Sequence, residues 1–255
     1  MSDTGVRVVL GLAGMFLAFF VVWVVFRLRA WKTRPEKITE WARSQGMEFT
    51  AGPVDASGFA SLSTLQRSES IISTEASNIS RGTRAGLHVS VFDLLRGTRR
   101  QSGTRTYYST LYGTFALFEL RSTSLPWFEF SALSHAAAGS FEGGMLGAVT
   151  ALAQLVGGDR GQDLIKLDGR PGLVLKGKDR AAVSALFSDA TLEFFDQNLG
   201  WTLEGEGPYL LAGLQPRLRK GWRSPQIEEL LAHQDLDRFL DIATTIAQRF
   251  RTANP

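Results

Sequence analysis

The chain has no cysteine. That absence excludes disulfides, thiolate nucleophiles and Cys-ligated zinc, and it suits a reducing compartment. Histidine is almost as scarce. His88, His135 and His233 are the full set of 3, and no two stand at the i, i+3 or i+4 spacing that places two ligands on one helix face. No metal and no cofactor is expected. Neither G-x-x-x-x-G-K-[ST] nor G-x-G-x-x-G occurs, and there is no G-x-S-x-G elbow, so the glycines form no phosphate cradle or nucleophile turn of a recognised kind. Ser140 has His135 as its nearest base in sequence, a thin basis for nucleophilic catalysis. Glu228 and Glu229 are adjacent, so on a helix they diverge. Asp237 and Asp241 are four apart and read as the solvated face of an amphipathic helix. These absences predict a protein that is not an enzyme.

Basic charge is plentiful in one place only. Of 28 Lys and Arg and 25 Asp and Glu in the chain, residues 1–37 hold Arg7, Arg27, Arg29, Lys32, Arg34 and Lys37 against Asp3 and Glu36. That leaves 22 basic and 23 acidic residues in 38–255, a near-neutral remainder. A nucleic-acid partner, which calls for a domain-wide basic footprint, is not expected.

The local excess surrounds a long apolar run. Val8 to Phe26, VVLGLAGMFLAFFVVWVVF, contains neither charge nor proline. As a helix it is about 28 Å long, close to the ~30 Å hydrocarbon thickness of a bilayer. The run is too long for a signal-peptide core and no small-residue cleavage site follows it. Trp23 and Trp31 lie where interfacial indoles are favoured. The sequence thus predicts a short tail (1–7), a transmembrane helix (8–26), a basic juxtamembrane segment (27–37) and a domain over 38–255. The basic collar on the C-terminal flank predicts an inner (plasma) membrane protein with its N-terminus outside and the large domain cytoplasmic. Gly14 and Ala18 form a small-xxx-small pair that suits contact with a partner helix.

The domain reads as α+β, with antiparallel sheet and a C-terminal helix. Pro35 suits the first turn of a helix running to about Gln45, with Gly46 as its stop, and MEFTA (47–51) follows as a strand. Residues 52–79 are Ser-, Gly- and Thr-rich and read as loop with one short helix near 59–67. GLHVSVFDL (86–94) alternates, with Leu87, Val89 and Val91 on one face. RGTRRQSGTR (96–105) has the composition of a hairpin loop. TYYSTLYGTFALFEL (106–120) reads as a central strand. LPWFEFSAL (125–133) follows, with Pro126 confining its start to an edge or to irregular chain. An Ala/Gly-rich insert occupies about 134–162. A strand at 172–177 precedes helices capped by Asp179 and Ser188. WTLEGEGPYLLAG (201–213) reads as a hairpin turning at Glu206–Pro208. Ser224–Pro225 opens a long or broken apolar-striped helix to the C-terminus.

Two basic clusters are candidate contacts for lipid headgroups or an acidic partner: Arg96, Arg99, Arg100 and Arg105, and Arg217, Arg219, Lys220 and Arg223. VFDL (91–94), LPWFEF (125–130), LVLKG (173–177) and YLLAG (209–213) occur in an order that resembles a family of uncharacterised bacterial single-pass membrane-anchored proteins with a cytoplasmic α+β domain. The resemblance implies that architecture and no activity. The expected function is a membrane-tethered protein-interaction or accessory subunit of a membrane complex, with the lipid bilayer and a protein as partners. The alternatives are a membrane-surface enzyme acting on lipid or peptide, and an anionic-lipid-binding domain.

Overall fold

The computed structural model describes residues 33–66, 71–102, 105–121, 123–132, 163–167, 169–170, 172–214 and 235–252. The apolar run 8–26 and the insert 134–162 lie outside them. Among the described residues no helix is long and apolar enough to cross a membrane.

The domain is α+β, built on one antiparallel sheet. Its strands are β1 (Glu48–Thr50), β2 (Val54–Asp55), β3 (Ile71–Arg84), β4 (Leu87–Ser102), β5 (Arg105–Glu119), β6 (Leu125–Ala132), β7 (Leu164–Ile165), β8 (Leu173–Gly177), β9 (Trp201–Gly207) and β10 (Tyr209–Leu214). They lie in the order β1-β3-β4-β5-β10-β9-β6-β8-β7, with β2 also on β3. The β9–β10 hairpin is wedged between β5 and β6, so the centre of the sheet closes only when late sequence arrives. Its tight turn uses Gly207 at φ +56°, a conformation an L side chain resists.

Among the described residues four helices cover one face: α1 (residues 33–44), α2 (Arg180–Leu186), α3 (Asp189–Gln197) and α4 (Leu236–Thr252). Asp179 caps α2 by accepting from the Ala182 N–H at 3.0 Å, and Ser188 caps α3 through Thr191, each satisfying an orphan helix N–H. Between helices and sheet lies a phenylalanine core. Phe128 stacks on Phe250 with centroids 5.3 Å apart and meets Phe187 edge-on at 5.2 Å. Phe130 packs on Phe195 at 4.5 Å, and Trp201 stacks on Phe239 at 5.3 Å. The helices approach closely because the strands carry small residues beneath them: a Cβ on Gly177 would lie 2.6 Å from Val183.

Among the described residues, the other face is covered by chain whose regular structure is a single 3-10 turn, Ala56–Gly58. The segment 56–66 lays Ala56, Ala60, Leu62 and Leu65 over Ala76, Ile79, Phe92, Leu94, Phe115, Leu117 and Leu211. We call this segment the strap.

Several expectations are corrected. The short helix near 59–67 is instead a single 3-10 turn, Ala56–Gly58, followed by turns. Asp55 accepts from the Ser57 N–H at 3.1 Å, the local side-chain bond that competes with helix. The loop expected to 79 ends earlier, because β3 begins at Ile71. Its sequence hides it: the buried positions include Thr74, Asn78 and Ser80, and its alternation is broken by register shifts at Ile71/Ser73 and Ser77/Ser80. RGTRRQSGTR is strand rather than loop, with only 103–104 left between β4 and β5. Pro126 does lie at an irregular strand start, as expected: β6 as a whole sits between β9 and β8, but its pairing with β8 begins only at Phe128. A register irregularity between Leu125 and Phe128 accommodates it, sparing the sheet a ladder bond that proline cannot donate. The C-terminal helix is described from Leu236 onward; its expected opening at Ser224–Pro225 falls outside the described residues.

Candidate functional site

Two polar clusters lie inside the sheet, one on each face. On the helix-covered face, Asp93 follows Val89 and Val91 by strand alternation and is buried. Arg34, in the first turn of α1, meets it with two bonds, Nε to Oδ2 at 2.8 Å and Nη2 to Oδ1 at 2.9 Å. Thr114 Oγ1 and Asn78 Nδ2 donate to the same carboxylate at 2.9 and 2.8 Å. The Asn78 backbone sits at φ +51°, a position in which asparagine is among the better-tolerated L residues. This bidentate pair joins the helix that follows the basic segment to the middle of the sheet. One of the collar cations is therefore spent inside the domain rather than displayed.

On the strap-covered face, register places three charges in one row. Lys176 on β8 pairs with Glu129 on β6, and Glu129 pairs with Glu204 on β9. All three are largely withdrawn from solvent. Glu204 accepts from the backbone N–H groups of Ser63 and Thr64, the latter at 2.9 Å. Ser63 Oγ also donates to Glu129 Oε1 at 3.2 Å, and Lys176 Nζ lies 3.5 Å from Glu129 Oε2. The strap is thus latched to the sheet by carboxylates. Burial, and then the negative charge of Glu204, push the Glu129 carboxyl up to about 7; Lys176 and Ser63 pull the other way. Two facing carboxylates with one ammonium favour a single retained proton near neutrality.

Beside the strap is an open cleft of about 660 Å³, the size of a small-ligand site. Its lining includes Phe59, Arg81, His88, Leu117, Glu119 and Tyr209. The Arg81 guanidinium lies over the Phe59 ring at 5.2 Å, and His88 and Glu119 are cross-strand partners. The cleft offers both donors and acceptors beside the apolar Phe59, Val89 and Leu117. Among the described residues no His, Asp and Glu cluster suits a metal ion.

The candidate contact residues divide. Arg96 is buried on β4 and Arg99 is exposed on it. Arg100 lies near the end of β4 and Arg105 opens β5. Strand pairing brings these four into one hairpin. Arg217, Arg219, Lys220 and Arg223 fall outside the described residues, as do Gly14, Ala18, His135, Ser140, His233, Glu228 and Glu229. Asp237 and Asp241 are exposed as expected of a polar helix face, yet they also tie α4 down. Asp237 accepts from Trp41 Nε1 at 2.8 Å and Gln45 Nε2 at 3.0 Å. Asp241 accepts from Arg84 at 2.7 Å. Sequence reasoning missed the Lys176–Glu129–Glu204 row. Its only trace was a charged residue between apolar or glycine neighbours in each of three strands.

No protein-family model matches the chain, and no curated protein matches its sequence. Among solved structures, it is similar to the crystal structure of the mycobacterial trehalose monomycolate transport factor A, TtfA, at 11% identity and a TM-score of 0.48. The match covers 87% of this chain and 94% of that one. At that identity and score the likeness carries no functional argument.

Proposed function

We propose that the chain is a single-pass, membrane-tethered accessory module. In this reading residues 8–26 cross the inner membrane with the N-terminus outside. The α+β domain stands at the cytoplasmic face, where it binds a protein partner within a membrane complex and performs no catalysis itself. The observation that supports it best is the Arg34–Asp93 clamp. A buried bidentate pair at the first turn of α1 ties the start of that helix to the sheet, so the link between the domain and the apolar run is no longer than residues 27–33, about 10 Å if helical. A short link suits a subunit that must meet a second membrane-bound protein, since a restricted geometry lowers the ordering cost of association.

The test is purification of the full chain from native membranes in mild detergent. A stoichiometric protein partner, retained through size exclusion, is the expected result. A lone monomer across several detergents overturns the accessory reading. A C-terminal reporter active outside the cell overturns the orientation.

A further inference from the structure

Strand register sets the polar groups of the cleft beside the strap. Arg81 and Thr83 on β3 pair with Ser90 and His88 on β4, and all four line the cleft. Cross-strand neighbours stand about 5 Å apart, and successive positions on one face of a strand about 7 Å apart. The four side chains therefore make a small square of hydrogen-bond donors: a guanidinium, two hydroxyls and an imidazole. On one side of the square, Glu48 of β1 pairs with Arg81. On the other, Glu119 of β5 pairs with His88. Both of these carboxyl groups also line the cleft.

The apolar wall is built in advance. Phe59, carried by the strap, meets Phe92 edge-on with centroids 5.2 Å apart. The Arg81 guanidinium covers the same ring, also at 5.2 Å. The strap itself is held where Glu204 accepts from the Ser63 and Thr64 N–H groups. Leu117, the β5 partner of Ser90, adds a second apolar surface next to the donor square. A wall already in place lowers the ordering cost of binding.

Each feature narrows the ligand. A volume of about 660 Å³ is that of an organic molecule rather than a single ion. The guanidinium fork matches a planar carboxylate, and its stacking on Phe59 pre-orients it for that contact. A plain anion would nevertheless face two carboxyl groups against one guanidinium, and a plain cation would face the guanidinium. A headgroup that carries both charges close together satisfies both, and a square of about 5 by 7 Å takes one such headgroup. The ion pair that Glu119 makes with Arg121, at 3.7 Å, is solvent-exposed, so it is screened and gives up its carboxylate at little cost.

We propose that the cleft binds a free α-amino acid with an apolar side chain. The ligand carboxylate meets Arg81, with Thr83, Ser90 and His88 as further donors. Its ammonium turns to the flanking carboxylates of Glu48 and Glu119, and its side chain lies between Phe59 and Leu117. This goes beyond the accessory reading, to which it adds a small-molecule input, and it does not draw on the membrane placement of residues 8–26.

The test is isothermal titration calorimetry of the full chain in matched detergent. Three probes share one ring: L-phenylalanine, 3-phenylpropanoate, which lacks the ammonium, and phenethylamine, which lacks the carboxylate. The expected result is saturable binding of L-phenylalanine, with each of the other two several-fold weaker. Arg81→Ala should weaken L-phenylalanine several-fold. E48Q/E119Q should abolish the preference for L-phenylalanine over 3-phenylpropanoate, a change that a merely structural role would not produce. An unchanged urea midpoint shows that each variant is folded. Thr83→Val removes only a hydroxyl from an exposed position and should also weaken L-phenylalanine, so it carries the test if Arg81→Ala unfolds. No saturable binding of L-phenylalanine up to its solubility limit overturns the proposal. Equal affinity for the three probes overturns it too, leaving an apolar surface without headgroup recognition. Binding that is unchanged in folded Arg81→Ala places the ligand elsewhere and is equally fatal.

Discussion

Glu129→Gln is a stabilising substitution at alkaline pH and a nearly silent one in acid. The Glu129 carboxyl is raised from 4.5 to about 7 by burial and by Glu204. Between those values the folded protein keeps a proton that the unfolded chain has released, so stability falls as pH rises through the window. Each pKa unit corresponds to about 1.4 kcal/mol, so the ionised carboxylate costs the folded state about 3 kcal/mol above pH ~7 relative to below pH ~4.5. The attractions to Lys176 and Ser63 are already included, since the carboxyl stays elevated despite them. Glutamine has the size of the protonated acid and never ionises. The variant should therefore match wild type near pH ~5 to within a constant offset and gain about 3 kcal/mol on it by pH ~8, equivalent to roughly 6–12 °C in Tm for a domain of this size. The assay is urea unfolding of the full chain in detergent, followed by tryptophan fluorescence across that pH range. A difference between the two proteins that does not change with pH refutes the buried-row reasoning, and so does a variant that loses ground as pH rises.

Arg34→Ala leaves Asp93 buried with Thr114 and Asn78 as its remaining partners. It should lower stability by about 3–5 kcal/mol, with R34A/D93A costing less than the sum of the single changes, as measured by a double-mutant cycle in urea. Gly205→Ala drives a Cβ into the Phe128 ring, which is held between Phe187 and Phe250. It should cost about 1–3 kcal/mol, while Gly52→Ala, where a Cβ meets nothing within 4 Å, should be close to neutral in the same assay.

The legible part of the sequence was the part governed by local rules. Asp179 and Ser188 announced α2 and α3 because a capping side chain needs only the next three residues. Leu87, Val89 and Val91 announced β4 because alternation is a property of one strand. The turn at Glu206–Pro208 and the stripe through Phe239, Ile246 and Phe250 could be read for the same reason. β3 escaped because its buried positions include Thr74, Asn78 and Ser80, polar residues that carry no apolar alternation; the Asn78 amide finds its partner, Asp93, on β4. The Arg96–Arg105 stretch escaped because Gly and Arg composition imitates a loop until β5 pairs with it.

The sequence by itself determined the α+β class, most of the helices and hairpins, and a long uncharged run beside a basic collar. Only the tertiary structure decided that residues 129, 176 and 204 form one buried row, that Arg34 closes on Asp93, and that four arginines share the paired strands β4 and β5. The reason is that pattern along a chain fixes which face a residue takes, whereas its neighbours on that face are set by strand order, and strand order depends on contacts far apart in sequence.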